Sequence, residues 1–373
     1  MLGFFRRSKE EKEQAKKKAK KRKIKLDRVL LWIDGAHRDL ASRTLRALAL
    51  GEAFHRAGAQ DTVLACPALG WLAEAAKERG LFFLDSVQEG VPMRFQEIIA
   101  ASPADILVAD PVVPIPAPMA AAGKIRPLFV QIGDAFSESL FSSDLLILPG
   151  VIPLPDFEHL HLPPSRLTNC IHGEKYVPLP DIYSMRKKIS AEGRKTFLAA
   201  IAGNPALDEA AALVEALQTV GGGGMTLLAD VSPAMLESLR EKFAGMRISG
   251  REASIKDRLA LIEEAEWIAA YPAIQIYEFL ALGKPVLLCP RTSAEASACQ
   301  QIAGVGAGFS AWEDGRLSLE RVKSLAAELN ADEAKRRSAG AKAAESIPFG
   351  GADRLVSLIA DRWGERLEYY GAA

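Results

Sequence analysis

The sequence predicts an α/β protein of two doubly wound, parallel-sheet domains that face one another across a central cleft. Three observations carry this reading. Short apolar runs of strand character alternate with amphipathic helical segments along most of the chain. The series is interrupted by a charged stretch at residues 175–195 and then starts again. The length of 373 residues also exceeds what one hydrophobic core usually organises. With 49% hydrophobic and 25% charged residues, the composition is that of an ordinary soluble globular protein.

The elements follow in order. RVLLWID (28–34) reads as a strand buried on both faces. SRTLRALALGEAFHRAG then places Leu45, Leu48 and Phe54 on or near one helical face, and Gly58 ends that helix. DTVLACP, a helix across 71–79, LFFLDS, a helix near 95–101, ADILVAD, RPLFVQIGD and SDLLILPG continue the alternation. The proline-rich run at 111–118 is a loop inside the domain, because strand and helix signals resume on both sides of it. After the break come TFLAAIAG, MTLLAD, MRISG, WIAAYP and PVLLCP, five strands separated by helices. Residues 319–369 are strongly helical, and their final helix is expected to return across the first domain. The predicted division is a basic tail (1–25), an N-terminal domain (26–185) and a C-terminal domain with a helical extension (186–373).

The net charge of zero hides an asymmetry. Residues 1–25 hold twelve Lys/Arg and three Glu, a net of +9, so the remainder carries −9. Such a tail has almost nothing to bury and reads as a solvated or disordered segment. Preceded by Leu2, Phe4 and Phe5, it is also a candidate for contact with an anionic membrane surface. Nucleic acid is not an expected partner, since no aromatics interleave with the charges. Without a membrane-spanning run or a signal peptide, the expected location is the cytoplasm, with the inner membrane face as a peripheral alternative. Cys66, Cys170, Cys289 and Cys299 lack metal or redox spacing, and His159 and His161 lack a third ligand, so neither metal nor cofactor is expected.

Several blocks together resemble a known family. IDGAHRDLASRTLRALALGEAFHRAG, DILVAD with LFVQIGDAFSESLFSSDLLILPG, CIHGEKYVPLPDIYSMR, IAGNPALDEAAALVEAL and YEFLALGKPVLLCP occur in the order of the corresponding blocks of GT-B fold nucleotide-sugar enzymes. Among these the chain looks most like the UDP-sugar hydrolases of pseudaminic acid synthesis and their spore-coat polysaccharide relatives. The resemblance spans about residues 28–308. It implies two Rossmann-like domains and a UDP-linked sugar as the expected substrate.

Carried over position by position, the resemblance makes Glu278 the ribose-binding carboxylate; a solvated glutamate near a helix start is the plainer reading. Gly203 and Asn204 would offer backbone amides to phosphate, although capping alone accounts for an asparagine there. The opposite corner reads Pro272, Ala273, Ile274, Gln275 where relatives carry glycine and a hydroxyl residue. The amides of Ala273 and Ile274 and the Gln275 side chain are the remaining phosphate donors. The family histidine position is Arg43, which stays protonated and so clamps phosphate rather than acting as a base. His37, in the same loop, is the candidate substitute base, with a solvated loop histidine as the alternative. Asp110 and Asp134 end neighbouring strands and could activate water or hold a sugar hydroxyl. Arg46 and Tyr176 match an arginine and a tyrosine of the family, and Tyr176 could equally be packing at the domain junction.

Three functions fit these residues. One is an active nucleotide-sugar hydrolase or glycosyltransferase of surface-glycan or nonulosonic-acid synthesis with altered catalytic residues. A second is a binding protein without catalysis, acting as regulator or scaffold. The third is a membrane-peripheral transferase anchored by the tail.

Overall fold

The structure, a computed structural model, describes residues 26–37, 39–88, 90–112, 115, 125–133, 143–150, 169–185, 196–203, 205–220 and 224–370. The basic tail, Asp134 and Asn204 lie outside these residues.

The first sheet contains β1 (Arg28–Ile33), β2 (Asp61–Cys66), β3 (Phe82–Asp85), β4 (Ile106–Asp110), β5 (Leu128–Ile132), β6 (Leu145–Pro149) and β7 (Cys170–Gly173), in the order 3-2-1-4-5-6-7. The second contains β8 (Thr196–Ala202), β9 (Gly224–Asp230), β10 (Arg247–Gly250), β11 (Ile268–Ala270), β12 (Val286–Leu288) and β13 (Gly308–Ser310), in the order 10-9-8-11-12-13. All pairings within both sheets are parallel. The central strands are apolar and buried along nearly their whole length, because helices cover both faces. In each sheet the chain adds strands first to one side and then to the other. The reversal lies between β1 and β4 in the first sheet and between β8 and β11 in the second. At such a reversal two loops leave the sheet in opposite directions and open a crevice past the carboxyl ends of the strands.

β7 and β13 are strands that sequence reading left out. They have four and three residues, and glycine or histidine interrupts any apolar run that would signal them.

Helix α1 (Leu40–Arg56) follows β1 and is buried around most of its circumference. A helix of that kind must be enclosed on several sides. The first sheet covers one side, and α5 (Gly351–Tyr369) covers another. Leu355, Val356, Ile359 and Trp363 of α5 complete the first domain's core, and Arg56 of α1 donates to Asp353. The final helix therefore does return to the first domain. Gly351 makes this docking possible, because a β-carbon there would lie 2.0 Å from the Val177 carbonyl oxygen. Helix α2 (Ile255–Glu264), from the second half of the chain, also contributes Ile255 and Leu259 to the first core, so the two domains share a packed boundary.

Candidate functional site

The carboxyl end of β1 and β4 gathers the first group of predicted residues. Asp110 closes β4, and its carbonyl accepts from the Asp34 N–H at 3.1 Å, which ties the two loops together. His37 Nε2 lies 2.9 Å from the Asp110 carbonyl and 3.3 Å from Oδ1. Both partners are acceptors, so Nε2 carries a proton. Arg43 donates to Asp110 Oδ1 at 2.8 Å and to Asp39 Oδ1 at 2.7 Å, while Arg46 binds Asp110 Oδ2. Burial alone would raise the Asp110 carboxyl. The Arg43 and Arg46 guanidiniums more than offset this and hold it well below the usual carboxylate range.

Two expectations change here. Asp110 is too weakly basic, and too fully engaged, to activate water. Arg43 and Arg46 are committed to carboxylates rather than open to a diphosphate.

Helix α1 starts at the same place. Its N-cap residue Asp39 makes no side-chain cap, because Arg43 draws its carboxylate away. The free amides of the first turn are satisfied instead from the other domain. Asp230, at the end of β9, accepts from Ala41 N–H at 3.3 Å and from Ser42 N–H and Oγ–H at 3.1 Å. An anion at a helix N-terminus is electrostatically favoured. Burial nonetheless raises the Asp230 carboxyl above its ordinary value, an effect that Arg258 only partly offsets.

Glu278, in helix α3 (Gln275–Ala281) after β11, is 2% exposed. Its carboxylate accepts from the Tyr183 hydroxyl at 2.6 Å and from Arg258 Nη2 at 3.1 Å. The same Nη2 donates to Ser42 Oγ at 3.2 Å, so one guanidinium nitrogen joins α2, α3 and α1. The predicted ribose-binding carboxylate is thus neither solvated nor open to the cleft. The cavity beside it, lined by Ser42, Arg46, Tyr277 and Glu278 among others, has about 10 Å³ of room, enough for one water. Around Glu278, then, the protein's own side chains fill the space between the domains.

Arg258 was missed by sequence reading, although a signal existed. Ile255, Leu259 and Ile262 form the buried stripe of α2, and Arg258 falls on it and is fully buried. A cation on an apolar stripe needs an internal anion.

The phosphate corner lies at the carboxyl ends of β8 and β11. Gly203 turns with φ +84°, open to glycine at little cost. Ala273 and Ile274 are buried in the turn into α3, their carbonyls accepting from Ile276 and Tyr277 N–H. Gln275 is fully buried, and neither end of its amide has a hydrogen-bond partner. Tyr271, unexpected in a phosphate turn, packs its ring into the second core and donates its hydroxyl to the Glu209 carbonyl at 3.1 Å. Tyr176 packs against the first core beneath the Lys175 ammonium, a junction role. Arg291, unremarked in the sequence, lies over the Tyr271 ring, 5.0 Å from its centre.

Among the described residues, no helix is long and apolar enough to cross a membrane and no cluster of three metal-ligating side chains occurs.

No family model and no curated protein matches the sequence. Solved structures do match the fold. The protein described as a UDP-N-acetylglucosamine 2-epimerase of Listeria monocytogenes superposes with a TM-score of 0.60 at 12% identity, over 92% of this chain and 97% of that one. The spinosyn rhamnosyltransferase SpnG complexed with thymidine diphosphate gives 0.52 at 14%, over 89% and 99%. Acinetobacter baumannii MurG gives 0.50 at 12%, over 90% and 99%. At these identities the likeness establishes the architecture, two parallel-sheet α/β domains in the GT-B arrangement, and no more.

Proposed function

We propose that this chain is a nucleotide-sugar enzyme of glycosyltransferase type, working from an open arrangement of its domains to which the closed one described above is the counterpart. The observation that carries the proposal is that the reversal points of both sheets meet at one gap. The first supplies an imidazole anchored by Asp110, and the second supplies Glu278 and the Gly203 turn. Crevices at such points are where open α/β sheets bind ligands.

In the closed state Glu278 accepts one O–H and one N–H. A ribose diol would offer the same carboxylate two O–H donors once Arg258 and Tyr183 withdraw. The names of the structural relatives, which include a complex with thymidine diphosphate, support a nucleoside diphosphate as the leaving group. The finer reading, hydrolysis of a UDP-sugar in surface-glycan or nonulosonic-acid synthesis, rests on the sequence resemblance. In that reaction a water oxygen bonds to the anomeric carbon as its bond to the diphosphate oxygen breaks. The nucleoside diphosphate leaves with the electron pair, and His37 Nδ1 takes the proton. In transfer, an acceptor hydroxyl replaces the water.

A second reading goes further than the binding protein without catalysis expected from the sequence: a scaffold that neither binds nor turns over a sugar nucleotide. What favours it is that Glu278 and the start of α1 are both satisfied internally. Thermal-shift titration with UDP, CMP and GDP separates the two. Stabilisation by one nucleotide that disappears in Glu278→Ala supports the enzyme, and His37→Asn should then abolish turnover of the matching sugar nucleotide while leaving nucleotide binding intact. No shift with any of the three leaves the scaffold reading.

A further inference from the structure

Arg291 stands three residues past the end of β12, yet its guanidinium does not stay over its own strand. Its carbon Cζ lies 5.0 Å from the centre of the Tyr271 ring, past the end of β11. Its Nη2 lies 3.4 Å from where a β-carbon of residue 203 would be, at the end of β8. One side chain therefore spans the carboxyl ends of three neighbouring strands and crosses the point where the second sheet reverses.

Its position is fixed. Glu295 accepts from Nη2 at 2.8 Å and from the Arg291 backbone N–H at 2.7 Å, and Glu295 is itself set at the start of its helix by a bond from its N–H to Thr292 Oγ at 3.2 Å. Among the described residues Glu295 is the guanidinium's only hydrogen-bond partner. Nε is buried with none, as are both ends of the amide of Gln275, the first residue of α3, which follows the adjacent strand. Buried donors without acceptors are costly, and Arg291 Nε and Gln275 Nε2, which follow two adjacent strands, point to an acceptor-rich group. Gly203 completes the case, since its positive φ and missing β-carbon together let the chain turn beneath the guanidinium.

We propose that Arg291 is the phosphate-binding cation of the second domain, receiving a phosphate of a nucleoside diphosphate at the Gly203 turn. The assignment rests on the nucleotide-sugar reading above and adds a residue to it. A planar guanidinium suits phosphate because its N–H groups match two oxygens at once. Glu295 holds the fork in place, so a phosphate gains directed donors more than net charge.

The test is calorimetric titration of UDP, with uridine binding followed by ligand-observed NMR, on wild type, Arg291→Ala, Arg291→Lys and Gly203→Ala. Loss of a charged hydrogen bond predicts UDP weakened about 10- to 100-fold in Arg291→Ala with uridine unchanged. Arg291→Lys should recover part of the loss. Gly203→Ala, which keeps the arginine but strains the turn beneath it at φ +84°, should also weaken UDP, and it carries the test if Arg291→Ala does not fold. UDP bound within twofold of wild type by Arg291→Ala, or UDP and uridine weakened equally, overturns the assignment and leaves the proposed function standing. If wild type binds none of UDP, CMP, GDP and uridine, both fall.

Discussion

Replacing Arg258 with methionine tests the closed arrangement most directly. The change leaves two buried carboxylates, Glu278 and Asp230, without the cation that faces them. Removing one partner of a buried ion pair costs roughly 3–5 kcal/mol. Methionine also removes Nε and Nη1, which are buried without acceptors in the wild type, and that relief pulls the cost toward about 3 kcal/mol. Because Nη2 also binds Ser42 on α1, the loss falls on the contact between domains. The Ala41 and Ser42 amides report on it, since Asp230 reaches them across the gap. A cost of about 3 kcal/mol corresponds to roughly 100-fold faster hydrogen exchange at these amides near neutral pH. The β1 amides, held inside a parallel sheet, should keep their protection. Adding Glu278→Gln to the methionine variant should restore part of the protection, because it removes an uncompensated charge. Unchanged exchange at residues 41 and 42, or equal acceleration throughout β1, would refute the idea that Arg258 holds the domains together.

Other substitutions read the same network differently. Asp110→Asn removes the carboxylate paired with Arg46 and leaves Arg43 only Asp39 as a charged partner among the contacts above, and should cost about 3 kcal/mol in urea unfolding at pH 7. Since the folded carboxyl titrates below its ordinary 3.8, its contribution is complete above that value and is lost as pH falls through it, so the gap between wild type and variant should narrow below about pH 4. Asp230 has the opposite sign. Its folded carboxyl titrates above 3.8, the native state holds the proton more tightly, and the stability of wild type relative to Asp230→Asn should decline as pH rises above about 4 in melting-temperature measurements. Gly351→Ala should loosen α5 by about 1–3 kcal/mol, because its β-carbon meets the Val177 carbonyl, and limited proteolysis should then cut α5 faster than in wild type.

The architecture was legible because its signals are local. RVLLWID and TFLAAIAG announce buried parallel strands by themselves, and the interruption at 175–195 falls between Gly173, where the first sheet ends, and Thr196, where the second begins. The interdomain contacts were not legible, because they depend on which distant residues meet. Nothing near Asp230 in sequence says that it will serve a helix that begins at Leu40. Glu278 stood out as a ligand-binding carboxylate, but the donors that hold it come from Tyr183 and Arg258, on other elements. Arg258 could have been found from its place on the apolar stripe of α2, which demands a buried counter-charge. Arg291 offered no such cue, since its reach toward Gly203 follows from the strand order 8-11-12 rather than from its neighbours in the chain.

The return of α5 to α1 has a consequence for biosynthesis. The first lobe emerges early from the ribosome, yet a flank of α1 stays uncovered until residues 351–369 have been made. Translation of the whole second lobe therefore intervenes before the first can finish packing, a long interval during which the uncovered flank of α1 can attract chaperones or like chains. A nascent chain stalled before Gly351 should accordingly be held by chaperones more firmly than one released after α5 has docked.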